Sequence, residues 1–132
     1  MLLVDTTVLV DVLQDDRQWA NGSIGQMRAQ ASIHQLAINP VIDAEISLSF
    51  STLEALDSVA AALALELRVI PRPALFLAAK AYAQYRRRGG TRLQVLPNFF
   101  IGAHAAVERW PLLTRDASRF RTYFPTLEVL AP

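Results

Sequence analysis

The chain has 132 residues, the size of one ordinary domain, because domains cluster at about 100–150 residues and two half-size units would be too small to hold separate cores. Just over half of the residues are apolar and cysteine is absent, which excludes a disulfide scaffold, a thiolate zinc site and a cysteine nucleophile. The formal net charge of +1 excludes a uniformly basic or acidic coat, and charge is instead local: Arg86, Arg87, Arg88 and Arg92 cluster while most carboxylates lie elsewhere. The longest apolar stretches, such as Val59 to Leu65, fall far short of the ~20 residues a membrane-spanning helix needs. With no basic leader and no small-residue cleavage site after Met1, the expectation is a cytoplasmic chain, with no membrane contact, folded as one domain over residues 1–132.

Leu2-Leu3-Val4 is a short apolar run ending at Asp5, and Val8, Leu9, Val12 and Leu13 then repeat at helical spacing behind Thr6 or Thr7 as N-cap. This predicts a buried strand turning into a helix. Trp19, Ile24 and Met27 suggest a second helix, with Gly22 and Gly25 blurring its ends. Gln35 to Ile38 reads as a second strand, and Asn39-Pro40 caps a helix bearing Ile42, Ile46 and Leu48. Ser51-Thr52 followed by Glu54 resembles a capping box opening a helix from Leu53 to about Glu66. Leu67 to Ile70 is a third strand stopped by Pro71, and Pro73 opens a long helix that ends at Gly89-Gly90. Asn98 begins another helix to about Arg109, Pro111 to Thr114 is a fourth strand, and Leu127 to Leu130 a fifth.

Short strands alternating with helices imply right-handed crossovers, hence a mostly parallel sheet of four to five strands with helices on both faces, a three-layer α/β/α domain. In such sheets the ligand site lies beyond the carboxyl ends of the strands, where strand order reverses. Asp5 and Asp116 directly follow the first and fourth strands, so both carboxylates are delivered to one rim.

Four positions weigh together: Asp5, Glu45 on the helix after the second strand, Asn98 at a helix start, and Asp116. Alone, each carboxylate near a helix start is explained by capping or a solvated face. Convergence changes the balance, because like charges at one rim repel and a divalent cation offsets that repulsion; hard oxygen donors suit Mg²⁺ or Mn²⁺. Such an ion activates water and stabilises charge in an in-line displacement at phosphorus, which is nuclease chemistry. Asp43, two residues from Glu45, falls roughly on the opposite side of its helix and is left out, and Asp11 is expected in a salt bridge or facing solvent.

Val4-Asp5-Thr6-Thr7-Val8-Leu9-Val10-Asp11, Pro40 through Glu45, Leu96 through Ala105, and Leu113-Thr114-Arg115-Asp116 together resemble the ordered acidic motifs of PIN domains of the VapC toxin family, over nearly the whole chain. The resemblance implies a PIN-like fold, a Mg²⁺- or Mn²⁺-dependent endoribonuclease, a homodimer, and neutralisation by a cognate VapB-type antitoxin. It also implies that Asp5 and the residue at 98 are principal metal ligands, that Glu45 and Asp116 complete the cluster, and that Thr6 or Thr114 hydrogen-bonds a ligand or metal-bound water. The chain departs from the family at 98, where aspartate is expected. Asparagine keeps the shape and the oxygen but removes the charge, so Asn98 is read as an inactivating change, favoured as an engineered one. The alternative is a catalytically silent module that binds RNA or an antitoxin.

The arginines 86, 87, 88 and 92 complement a helix C-terminus in the plain reading; in the functional one they contact RNA phosphates beside position 98. Trp19, Phe76, Tyr82, Phe99, Phe100, Trp110, Phe120 and Phe124 are assigned mostly to the core or a dimer surface. Neither His34 nor His104 has a second histidine at zinc-motif spacing. A phosphotransfer receiver is excluded because Pro71-Arg72-Pro73 follows the third strand where its acceptor aspartate belongs. An aspartate-nucleophile phosphatase is excluded because Asp5 lacks an acid two residues later.

Overall fold

A computed structural model describes residues 1–92 and 95–132. Strands β1 (Leu2–Val4), β2 (Leu36–Ile38), β3 (Glu66–Leu67), β4 (Leu112–Leu113) and β5 (Val129–Leu130) form one sheet in the order β3-β2-β1-β4-β5, every neighbouring pair parallel. Leu2, Leu3, Val4, Leu112 and Leu113 are all fully buried. Successive strand side chains point to opposite faces, so burial of every one requires a helix layer on each face, as the three-layer expectation had it. Strand order reverses between β1 and β4, which opens the crevice where a ligand site belongs.

Helix α1 (Thr6–Leu13) is capped by Asp5 itself, whose side chain accepts from the Thr6 N–H, and not by Thr6 or Thr7 as the sequence suggested. Helix α2 (Ala20–Ala31) follows, and α3 (Pro40–Ser47) starts as expected, with Asn39 accepting from the Ile42 N–H and Pro40 at the first turn. Ile42 and Ile46 enter the core, but Leu48 lies past the helix end and is 91% exposed. Helix α4 (Leu53–Ala62) is capped by Thr52 and ends four residues before the predicted Glu66, because Ala64 turns into the left-handed region at φ 53°. Strand β3 is a short, exposed edge strand of Glu66 and Leu67 that ends three residues before the Ile70 end expected from Pro71.

Helix α5 (Arg72–Arg87) ends at Gly89, whose φ of +89° only glycine adopts without strain. Helix α6 (Leu96–Glu108) begins two residues before Asn98. Pro97 fits the first turn, where no intrahelical N–H bond is lost, so Asn98 sits inside that turn and caps nothing. Helix α7 (Ala117–Tyr123), absent from the sequence reading, follows Asp116 and buries Phe120. Among the described residues, no helix is long and apolar enough to cross a membrane. Phe99, Phe120 and Phe124 are core residues as predicted, whereas Phe76 is 67% exposed.

Candidate functional site

The turn after β1 and the turn after β4 meet at the crevice, and hydroxyls join them. One oxygen of Asp5 accepts from the Thr6 N–H at 2.9 Å; the other accepts from the hydroxyls of Thr7 at 2.8 Å and Thr114 at 2.7 Å. The Thr114 oxygen in turn accepts from the Asp116 N–H at 2.9 Å, and the Thr7 oxygen from the Arg115 N–H at 3.2 Å. Glu45 comes in from α3, where Oε1 accepts the Thr6 hydroxyl at 2.6 Å. Asp5, Thr6, Glu45, Thr114 and Asp116 thus share one network.

Asp5 is almost wholly buried. Burial pushes its carboxyl above the usual carboxylate range; the Thr114 and Thr7 hydroxyls and the Thr6 N–H pull it back down, and the neighbouring Glu45 charge adds to the rise. Such a carboxylate gains from a cation and is disfavoured without one.

Asp116 is paired to Arg119 at 3.1 Å, one turn along α7. Asn98 lines a cleft with Arg119, Phe120 and Tyr123, so it borders the same cleft as the arginine that holds Asp116. Among the described residues, no three acidic, histidine or cysteine side chains lie together as a ready-made metal site. Arg119 escaped the sequence reading because α7 did; the i, i+3 spacing from Asp116 was its available signal.

Arg86 and Arg87 occupy the exposed last turn of α5, and Arg88 lies over the Tyr123 ring at 5.8 Å from its centroid. Arg92 joins Tyr85, Val95, Phe99, Arg119 and Tyr123 around a cavity of about 240 Å³, three of whose walls are shared with the Asn98 cleft. Arg92 thus borders a cavity that adjoins the Asn98 cleft, and Arg88 packs on Tyr123, a residue common to both.

Asp11 makes the expected salt bridge, to Arg115 at 3.1 Å, and accepts the Ser23 hydroxyl at 3.0 Å. Arg115 also lies over the Trp19 ring. The pair therefore ties α1 and α2 to the loop before Asp116. Asp11→Asn is expected to lower stability by about 1 kcal/mol, since the partly solvated guanidinium can turn to water. Urea denaturation of parent and variant measures it.

No family model and no curated protein sequence matches the chain. Among solved structures, it is similar to a chain of VapBC2 from Rickettsia felis bound to a promoter DNA fragment, at 16% identity and TM-score 0.75, covering 98% of this chain and 97% of that one. It is also similar to a chain of DNA-bound VapBC from Salmonella typhimurium (16%, TM-score 0.70, 99% and 98%) and to one of a toxin-antitoxin complex from Klebsiella pneumoniae (22%, TM-score 0.63, 98% and 96%). The α/β fold is PIN-like and is shared with these chains over 98% or more of this chain.

Proposed function

We propose that this chain is a VapC-type toxin, an endoribonuclease dependent on Mg²⁺ or Mn²⁺, held in check by a VapB-type antitoxin and acting as a homodimer. The observation that supports it most is the convergence of Asp5 and Glu45, from separate elements, on Thr6, which donates its backbone N–H to Asp5 and its hydroxyl to Glu45 at the point where strand order reverses. A buried carboxylate whose ionisation is opposed by both burial and a second carboxylate fits a hard divalent cation, and the all-oxygen donor set of Asp5, Glu45, Asp116 and Asn98 suits the same class of ion. The similar chains come from toxin-antitoxin complexes, which is the basis for expecting such a partner here.

A bound divalent ion supplies an acidified water and neutralises charge on the phosphodiester. The residues of the chain itself do the positioning. The Thr7 and Thr114 hydroxyls fix the Asp5 carboxylate, and the Thr6 hydroxyl fixes Glu45. Arg92, with Arg86, Arg87 and Arg88, attracts the RNA backbone in a salt-dependent way. Position 98 is where the set falls short of charge. With asparagine there, Arg119 is left to neutralise Asp116, and we read Asn98 as an inactivating aspartate-to-asparagine change.

The second reading, a silent module that binds RNA or an antitoxin, draws on that same Asp116–Arg119 pair and on the absence of a three-acid group among the described residues. A paired assay separates them: the parent chain and its Asn98→Asp form on total cellular RNA, with Mg²⁺, Mn²⁺ or EDTA. The nuclease reading expects Asn98→Asp to raise metal-dependent cleavage at least about tenfold, with EDTA abolishing it. Equal, metal-independent cleavage by both forms, or RNA binding without cleavage by either, would sink it.

A further inference from the structure

Glu45 reaches the crevice only as far as α3 is held in place, and the N-terminus of α3 rests on a buried contact outside the site. Asn39 and His104 are both fully buried, and the Asn39 amide nitrogen lies 3.2 Å from His104 Nδ1. The orientation of this amide is fixed by its other end, because Asn39 Oδ1 accepts the Ile42 N–H at 3.0 Å as the N-cap of α3. The nitrogen facing His104 is therefore a donor, and Nδ1 must be the acceptor. That assigns the ring its proton on Nε2, which has no hydrogen-bond partner among the described residues.

A second proton on the ring has one place to go, Nδ1, where it would set donor against donor. Flipping the Asn39 amide relieves that clash only by turning its NH2 toward the Ile42 N–H, which destroys the cap. We propose that His104 is a positioning residue for the helix carrying Glu45: its unprotonated Nδ1 locks the Asn39 amide in the capping orientation, and protonation of His104 releases the cap. What α3 then does for catalysis rests on the nuclease reading; the cap and its dependence on His104 do not.

The groups around the ring are few. Glu108 from α6 itself and Arg68 from the segment after β3 are the charges that act on it, the first favouring the imidazolium and the second opposing it, and Trp110 packs against it at 5.2 Å between ring centroids. Burial, with Arg68 acting in the same direction, outweighs the Glu108 charge and pushes the imidazole below its ordinary value. The sign follows. The unfolded chain takes up the proton first, so the stabilisation is complete above about pH 6.5 and is lost as pH falls below that toward the lowered native value.

The test is hydrogen exchange at the Ile42 amide, corrected for intrinsic rate, between about pH 7.5 and about pH 5. The Ala55 amide is the reference, because it occupies the same position in α4 and is capped by Thr52. Protection of Ile42 relative to Ala55 is expected to fall at least about fivefold on acidification, the size of a lost N-cap. His104→Asn keeps an acceptor oxygen near the Nδ1 position but cannot titrate, and should make the ratio flat with pH. His104→Leu should lower it at every pH. The inference is overturned if the two amides move together in the parent, or if His104→Asn shows the same acid loss. Should His104→Leu fail to fold, the parent titration and His104→Asn decide it alone. Because exchange does not read cleavage, this result and that of the RNA assay stand or fall separately.

Discussion

Asp5→Asn, introduced into the Asn98→Asp form, is expected to reduce RNA cleavage at least about 100-fold while leaving the fold intact. The asparagine oxygen still accepts the Thr6 N–H that caps α1, and its NH2 faces the Thr7 and Thr114 oxygens, so the local network changes its proton arrangement more than its shape. What disappears is the charge. Because burial raises the Asp5 carboxyl in the native state, the carboxyl contributes its full stabilisation only below the ordinary aspartate value near pH 3.9. That contribution is lost as pH rises through the raised native value. Thermal denaturation of parent and Asp5→Asn across about pH 4–7 should therefore show the difference in Tm moving toward the variant as pH rises. Adding Mn²⁺ at neutral pH should move it back, since a ligand of the native state stabilises only the form that binds it. A Tm difference that is flat with pH, with cleavage unchanged, would remove Asp5 from the proposed site.

The same carboxylate shows how far the sequence alone carried the argument. Leu2-Leu3-Val4 followed by an acid, and Leu112-Leu113-Thr114 followed by Arg115-Asp116, are continuous apolar runs bounded by polar residues, so the two central strands and their rim carboxylates were legible. Asn39-Pro40 was equally legible, because a cap followed by proline admits one helical phase. The misplaced features are those that tertiary packing decides. Asn98 looked like a cap by residue type, but Pro97 and Leu96 extend the helix past it. Leu48 continued an apolar pattern that the backbone had already left. Helix α7 is seven residues long, too short for periodicity to announce, and with it went the ion pair between Arg119 and Asp116. The links from the Thr114 hydroxyl to Asp5 and from the Arg115 N–H to the Thr7 oxygen join residues over a hundred positions apart, which no local pattern encodes.

Gly102→Ala is expected to destabilise the chain by about 1–3 kcal/mol and to weaken cleavage by the Asn98→Asp form as well. An added Cβ would meet Phe124 Cδ2 at 2.6 Å and Phe120 Cδ1 at 3.0 Å, and come closer still to Phe124 Cε2. These are the rings by which α7 and its C-cap rest on α6, both almost wholly buried, so neither can swing into solvent. The helices must separate or the rings leave their rotamers. Gly102 lies four residues after Asn98, one turn along the same face of α6. The spacing it permits therefore also sets how closely Asp116 and Arg119, at the start of α7, approach position 98. A Tm lower by roughly 5–10 °C would match the packing cost for a chain of this size. Phe124→Leu in the same chain should recover part of the loss, because the shorter side chain vacates the space that the Cβ needs. A double-mutant cycle measures the recovery: coupling of about 1 kcal/mol or more places the effect at the contact between α6 and α7, and strict additivity places it elsewhere.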